Sequence, residues 1–467
     1  MKTRIEQDFL GTVEIPAERY YGIHTSRAAE NFLVSGHLVH PELIKAMALV
    51  KQAAAETNLG LGHLERSAAS AIIQAASEVA EGAFQEEFIV DAYQGGAGTS
   101  TNMNVNEVIA NRAIELLGGE KGDYSLVHPL NHVNMSQSTN DVYPTALRIA
   151  AIRLLSRLSQ ACATLQNALQ LKEAEFAGVL KIGRTEMQDA VPITLGQEFS
   201  AWAEAIARDR WRLYKVEERL RQVNLGGTAV GTGINAERKY IFSIIERLRS
   251  LTGLGLARNE NMIDGTQNAD VFVEVSGLIK ACASSLIKIS ADLRLLSSGP
   301  RTGLGEIRLP DLQAGSSIMP GKVNPVVPEL ITQVAYQVIA QDLAITLAAQ
   351  GGQLELNAFL PLIAANLLPA MDSLAKAMVI LAERCILGIT ADKQRCQEHV
   401  HNSMGIITAI SPSIGYDLAS EIAKKALQNG KSARDVIIEA GIFSGDELDE
   451  ILRPEFLTRP GVVKLKP

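Results

Sequence analysis

The stretch Val271–Leu296, VFVEVSGLIKACASSLIKISADLRLL, decides the fold class. Its apolar residues fall at Val271, Val275, Leu278, Cys282, Leu286, Ile289, Leu293 and Leu296. Steps of three and four gather these side chains on one stripe of a helix about seven turns long. Leu374, Met378, Leu381 and Cys385 repeat the spacing, and Leu147–Leu171 and Glu198–Val223 are also long and free of Pro and Gly. Helices of this length, with few strand-like runs between them, predict an all-α protein built on an extended bundle. Such slender helices offer more apolar surface than one chain covers, so oligomerisation is expected to complete the core.

Outward from this centre the pattern changes twice. Pro41 to about Ala92 reads as helical, with Ala-rich runs such as Ser67–Val79. The residues before it, up to about residue 40, are rich in turn formers and aromatics (IPAERYYGIHTSRAAENF) and read as irregular. After about Thr390 the helices shorten, and the segments around Ser411–Gly415 and Gly441–Ser444 introduce turns. The expected division is an N-terminal helical domain over 1–138, a central helix bundle over 139–393 and a small C-terminal helical domain over 394–467.

Composition narrows the function classes. The chain has 467 residues, 47% of them hydrophobic, which is ample for a large core and too long for one simple domain. A net charge of −8 describes an acidic protein without the basic footprint of a nucleic-acid partner. Cys162, Cys282, Cys385 and Cys396 have no C-x-x-C spacing and suit a reduced setting better than a disulfide framework. The N-terminal MKTRIEQDFLG interleaves charges with apolar residues and is not read as a signal peptide. The apolar stretch around Met378–Ile389 is broken by Glu383 and Arg384, too short and too charged to span a bilayer. A soluble, cytoplasmic protein without membrane contact is expected.

The most informative segment for function is Gly315–Asn324, GSSIMPGKVN. A phosphate loop needs four residues between its glycines and Ser or Thr after the lysine. Here five lie between Gly315 and Gly321, and Val323 follows Lys322. Gly226–Gly233 (GGTAVGTG) mimics a dinucleotide loop but lacks the preceding strand that one requires. What Gly315–Asn324 offers is two adjacent hydroxyls, glycines on either side, and a lysine and an amide close behind. Such a loop can close over an anion and bring a serine oxygen to its carbon. A plain Ser/Gly connector would explain the GSS but not the MPGKVN after it.

GSSIMPGKVNP resembles the signature of the aspartase/fumarase superfamily, and its GKVNP ending resembles the fumarase and aspartase branches. Gln94–Asn106 (QGGAGTSTNMNVN) is similar to the family's first conserved region. Ser136–Asn140 (SQSTN) and Gly183–Pro192 (GRTEMQDAVP) are similar to the second, so the resemblance extends over nearly the whole chain. It implies three helical domains whose central helices form a tetrameric core, with each active site drawn from three subunits. It also implies proton removal from the carbon beside a carboxylate, with loss of an amine or hydroxyl to give fumarate. The carbanion must be held as an aci-carboxylate by fixed donors.

By this resemblance Ser316 is the base, acting as an alkoxide. Lys322, Asn324 and Thr185 match the positions that hold the carboxylate next to the leaving group. Thr99, Ser138, Thr139 and Ser317 match those clamping the carboxylate that becomes the aci-carboxylate, and Asn140 joins Thr99 and Thr139 around the leaving amino group. Short neutral donors suit a dicarboxylate that must also depart as product. Thr99 and Ser138–Asn140 have a plainer reading as helix caps, and one residue can do both. His24, His128 and His132 are kept outside the catalytic set.

Tyr20–Thr25 (YYGIHT), the Thr in Gln137–Asn140 (QSTN) and Val326–Glu329 (VVPE) resemble the aspartase branch. The expected reaction is reversible deamination of L-aspartate to fumarate and ammonia. Fumarate hydration and a lyase on a related amino-dicarboxylate are the alternatives, and an inactive helical scaffold is a remote one. Two positions depart from the pattern: Glu186 stands where members carry His or Gln, and Leu360 where aspartases tend to have Glu and fumarases Lys. Glu186 is expected to meet the substrate's amino group. Glu329, a supporting carboxylate, would repel it unless an ammonium lies between. Nothing in the sequence calls for a cofactor or a metal.

Overall fold

The computed structural model describes residues 2–461. Met1 and residues 462–467, at the ends of the two outer expected domains, lie outside the described residues. The chain is all-α, with a few short strands. It opens with a hairpin of β1 (Thr3–Asp8) and β2 (Gly11–Pro16), then α1 (Ile23–Asn31), α2 (Pro41–Gly60), α3 (Arg66–Glu81) and α4 (Thr99–Leu116). The long α5 (Thr139–Glu175) leads to a second antiparallel hairpin, β3 (Leu180–Thr185) and β4 (Gln188–Thr194). Then come α6 (Leu195–Val216), α7 (Arg238–Thr252), α8 (Met262–Gln267), α9 (Asp270–Leu296), α10 (Val326–Gln350) and α11 (Leu360–Ile380). The chain finishes in short helices, α12 (Lys393–Asn402), α13 (Gly405–Ile414), α14 (Tyr416–Asn429), α15 (Ala433–Glu439), α16 (Gly445–Ile451) and α17 (Pro454–Leu457).

The periodic stretch behaves as its spacing demands. Along α9, Val275, Cys282, Leu286, Ile289 and Leu293 are fully buried, and only Leu278 of the stripe is part-exposed. The first 40 residues correct the reading of an irregular segment, because they form β1, β2 and α1. The alternation was masked by a charge at the inward position. Glu6 is buried, paired with Arg4 at 2.8 Å, and accepts the Ile23 N–H at 2.9 Å.

Two compact units divide the chain. One comprises Met1–Ser159, Trp211–Ala281 and Tyr336–Leu374. Its α2 starts with His40 capping the Glu42 N–H and Pro41 in the first turn, and buries Ala46, Met47, Val50, Ala53 and Ala54 completely. Small alanines let α3 and α4 approach this face closely, at a burial gain of about 0.8 kcal/mol per CH2. The other unit comprises Gln160–Arg210, Cys282–Ala335 and Ala375–Pro467. Its C-terminal helices α13–α16 share a core of Ile407, Ile410, Ile422, Ile437, Leu448 and Ile451. The four cysteines are buried thiols, not joined in disulfides.

Two stretches meet the length and composition needed to cross a bilayer, Val326–Gln350 and Leu360–Gly388. The second takes in most of Met378–Ile389, which by itself is too short and too charged to span. Leu360–Gly388 is 61% buried inside the protein, as a core helix is, whereas Val326–Gln350 is only 28% buried and keeps an apolar exposed face.

Candidate active site

The candidate residues fall into two groups, one in each unit. In the first unit, Thr99 opens α4 and Ser138 caps α5. Gly98 precedes Thr99 with φ +95°, and a Cβ there would stand 2.2 Å from the ring of Tyr143 on α5. Only glycine allows both the left-handed turn and that contact, so the first turns of α4 and α5 are held side by side. Thr99 is exposed and donates its hydroxyl to Gly96 O at 2.7 Å. A cleft of about 300 Å3 beside it is lined by Asp8, Leu10, His24, Arg27 and Met103 among others. A cavity of about 570 Å3 between α2 and α7 contains none of the candidate residues.

The start of α5 is capped by Ser138 and Asp141. Ser138 Oγ accepts the Asn140 N–H at 3.2 Å, and Asp141 Oδ1 accepts the Ser138 N–H at 3.0 Å. Asp141 Oδ2 also takes the N–H groups of Gly226 at 3.0 Å and Thr228 at 2.9 Å. The glycine-rich segment that mimics a dinucleotide loop therefore wraps this helix start. Pro144, inside α5, has no N–H for the carbonyl of Asn140. That carbonyl accepts Asn224 Nδ2 at 3.0 Å instead, while Asn140 Nδ2 donates to Ala229 O at 2.7 Å. Burial pushes the Asp141 carboxyl up to about 6, against the pull of its three N–H donors and of Lys51.

Beneath this segment lies a polar cluster that sequence reasoning missed. Lys51 of α2 is fully buried and donates to Asn134 Oδ1 at 2.8 Å and Gln137 Oε1 at 2.9 Å. Asn134 Oδ1 also accepts from Asn102 Nδ2 and Asn106 Nδ2, both at 3.2 Å. Asn102 Nδ2 reaches Thr139 Oγ1 at 3.2 Å. Asp141 could have been found from its place three residues after a capping serine. Nothing local marks Lys51, since a lysine on an amphipathic helix reads as solvated.

In the second unit, Thr185 ends β3 and Glu186 stands at the tip of the β3–β4 hairpin. Glu186 (φ +52°) and Met187 (φ +66°) form its two-residue turn, the backbone that a type I′ turn requires and that Asn-Gly normally supplies. Thr185 and Glu186 are exposed. Glu306, fully buried, anchors the hairpin's base. It meets Arg184 at 2.9 Å, Lys181 at 3.1 Å and His399 Nδ1 at 2.8 Å, and Lys181 also meets Glu198 at 2.7 Å. Burial raises the Glu306 carboxyl, but Arg184, Lys181 and His399 outweigh it and hold the group below its ordinary value.

The signature loop is closed at its base. Gly315 N–H donates to Lys322 O at 2.8 Å, and Asn324 Nδ2 donates to Gly315 O at 2.9 Å. A Cβ on Gly315 would stand 2.6 Å from Lys322 O, so this closure needs glycine. Ser316 Oγ accepts two backbone N–H groups, from Ile318 at 3.2 Å and Met319 at 3.1 Å. Ser317 and Lys322 are exposed, and Glu329 sits half-buried in the first turn of α10. Two of the histidines outside the set make local backbone contacts: His128 Nδ1 accepts from Leu130 and Asn131 N–H, and His132 Nδ1 from His128 N–H. Leu360, the second departure, opens α11 and is buried.

A family profile described as lyase matches residues 11–340, and one described as the fumarase C C-terminus matches residues 406–459. The chain belongs to this lyase family. Aspartate ammonia-lyase of a Bacillus species is 50% identical to it over 463 residues, 99% of each chain. That of Pseudomonas aeruginosa is 51% identical over 467 residues, 99% of this chain and 98% of the relative. A solved fumarate lyase:delta crystallin from Brucella melitensis, bound to cobalt, superposes with a TM-score of 0.95 at 50% identity, covering 98% of this chain and 100% of that one. A class II fumarase from Schistosoma mansoni follows at TM-score 0.92 and 36% identity, covering 97% and 98%. This member of the family is an enzyme of the carbon–nitrogen lyase class.

Proposed function

We propose that the chain deaminates L-aspartate reversibly to fumarate and ammonia. The carrying observation is full-length identity of about half to relatives named aspartate ammonia-lyase, against 36% to the fumarase. Ser316 takes the proton from the carbon beside the carboxylate. Its oxygen already receives two N–H groups, and donors to the charged form favour an alkoxide. Lys322, Asn324 and Thr185 hold the carboxylate next to the amine. Thr99, Ser138, Thr139 and Ser317 clamp the one that gathers charge, and Asn140 with Glu186 meets the amino group. Each donor to a charged oxygen contributes roughly 1.5–3 kcal/mol.

The working enzyme is a cytoplasmic homotetramer whose sites draw on three subunits, in the three-domain division that the sequence suggests. The exposure of Thr185, Glu186, Ser317 and Lys322 supports this, because aci-carboxylate chemistry needs water excluded. The long helices also present Trp211, Tyr214, Tyr336, Leu343 and Leu347 at more than half exposure, apolar surface that an oligomer would cover.

The test follows fumarate absorbance with purified protein and L-aspartate or L-malate. Fumarate from aspartate, abolished by Ser316→Ala, is expected. Fumarate from malate alone transfers the assignment to a hydratase, and silence with both points to a scaffold.

A further inference from the structure

The buried cluster under α5 has a direction, and the direction follows from its donors and acceptors. An ammonium can only donate. Facing Lys51 Nζ, Asn134 must therefore present its oxygen, and its Nδ2 is left to donate to Gln137 O at 3.3 Å. With that oxygen turned inward, Asn102 must present its nitrogen to it. The second hydrogen of the same Nδ2 goes to Thr139 Oγ1, which thereby acts as acceptor. The Thr139 hydroxyl then has its own hydrogen left to give, and must point it away from Asn102. A chain of three side chains thus converts one buried positive charge into the polarity of one hydroxyl.

We propose that Lys51 is a positioning residue for substrate, setting the Thr139 hydroxyl as a donor to the substrate carboxylate through Asn134 and Asn102. The inference rests on the reading of Ser138–Asn140 as the carboxylate cradle. Lys51 is fully buried and so costly to keep charged, yet it touches none of the candidate site residues directly. Its own helix adds a second hold on the cradle seven residues on. Asn58, also fully buried, donates to Met135 O and accepts from Ser136 Oγ, both at 3.3 Å. Ser136 is a left-handed residue at φ +63°, a backbone that the surroundings must impose.

The relay is also titratable. Burial pushes the Lys51 ammonium down to about 7, with Asp141 of α5 pulling it upward. The other sides of the cluster present amides: Asn102 and Asn106 from α4, and Asn134 and Gln137 from the turn before α5. A neutral amine can accept as well as donate, so loss of the proton removes the compulsion that Lys51 places on Asn134 and weakens the direction of the relay. KM for a dicarboxylate should therefore rise as pH climbs through about 7.

The wild-type enzyme is first assayed for aspartate turnover and for binding of succinate, a dicarboxylate that cannot react. Failure of both sinks the functional reading before Lys51 is touched. With the wild type active, Lys51→Met should raise KM for aspartate by roughly tenfold, as expected for one lost hydrogen bond to a charged oxygen. kcat should move less, and the pH inflection in KM should vanish. Thr139→Val should have a similar effect, and the double variant should be no worse than Thr139→Val alone. Should Lys51→Met fail to assemble, Asn102→Leu cuts the same relay without touching the lysine and is paired with Thr139→Val in its place. Additive effects, an unchanged KM, or a pH inflection that survives in Lys51→Met would each overturn the proposal.

Discussion

The turn at Glu186–Met187 gives the sharpest test of the site, because there stability and activity should move in opposite directions. Both residues have left-handed backbone, at φ +52° and +66°. A side chain in that conformation costs roughly 1–2 kcal/mol per residue, while Asn-Gly adopts a type I′ turn with little strain. Replacing Glu186 by Asn and Met187 by Gly should therefore stabilise the hairpin by roughly 1–3 kcal/mol. Few contacts are lost in exchange, since both side chains are exposed. Urea unfolding midpoints and hydrogen exchange of β3 and β4 read the first quantity, and kcat/KM for aspartate the second. The double variant should unfold at higher urea yet lose at least about tenfold in kcat/KM, the value of one charged hydrogen bond. Met187→Gly alone should gain about 1 kcal/mol and keep its activity. Glu186→Gln should weaken binding of aspartate if the carboxylate meets the ammonium. Full activity in the double variant, or unaltered affinity in Glu186→Gln, refutes the claim that the strain holds Glu186 for the substrate.

Gly98→Ala should cost roughly 2–5 kcal/mol in thermal or urea unfolding, adding overpacking against Tyr143 to a positive φ, and should raise KM by displacing Thr99. Asp141→Asn leaves the N–H groups of Gly226 and Thr228 facing an amide nitrogen, a loss of roughly 2–6 kcal/mol visible as faster amide exchange around residues 226–229. The Asp141 carboxyl stands at about 6 when folded, above its ordinary 3.8. Its contribution to stability is therefore greatest below the unfolded value and falls as pH rises through about 6, a slope the variant should flatten. Glu306→Gln takes the carboxylate from part-buried Arg184 and leaves buried Lys181 with Glu198 alone, and should cost up to roughly 3–5 kcal/mol, with hairpin protection lost before global unfolding. Because the Glu306 carboxyl is held low, its stabilisation is present above the ordinary glutamate value and disappears as pH falls through the folded one. The acid limb of the wild-type stability profile should be blunted in this variant.

The helical architecture was legible because burial on one face of a long helix leaves a period that no other fold needs. Val275, Cys282, Leu286 and Ile289 on α9 carry it plainly. The β1–β2 hairpin was not legible, because its inward position holds Glu6, and a carboxylate is tolerable there through Arg4 on the same strand and the distant donors Ile23 N–H and Tyr124 OH. The same division runs through the site. Ser316, Lys322 and Asn324 stand in a segment whose residue types announce an anion loop. Lys51, Asp141 and Glu306, which hold the cradle and the hairpin, are buried charges whose roles exist only once distant segments meet.

Strain deepens this division. Among the described residues, eight other than glycine have positive φ, and five of them flank the candidate groups: Ala97, Ser136, Glu186, Met187 and Thr228. Ala97 precedes Thr99, Ser136 precedes Ser138, and Thr228 donates its N–H to the aspartate that caps α5. A stable fold by itself would place glycine or asparagine at such positions. Local rules fail beside the candidate residues of each unit, while they hold along α9. That is the pattern expected when packing elsewhere in the protein sustains a strained backbone so that short polar side chains can be aimed. It follows that the residues most worth substituting are those whose conformation, more than their identity, is out of place.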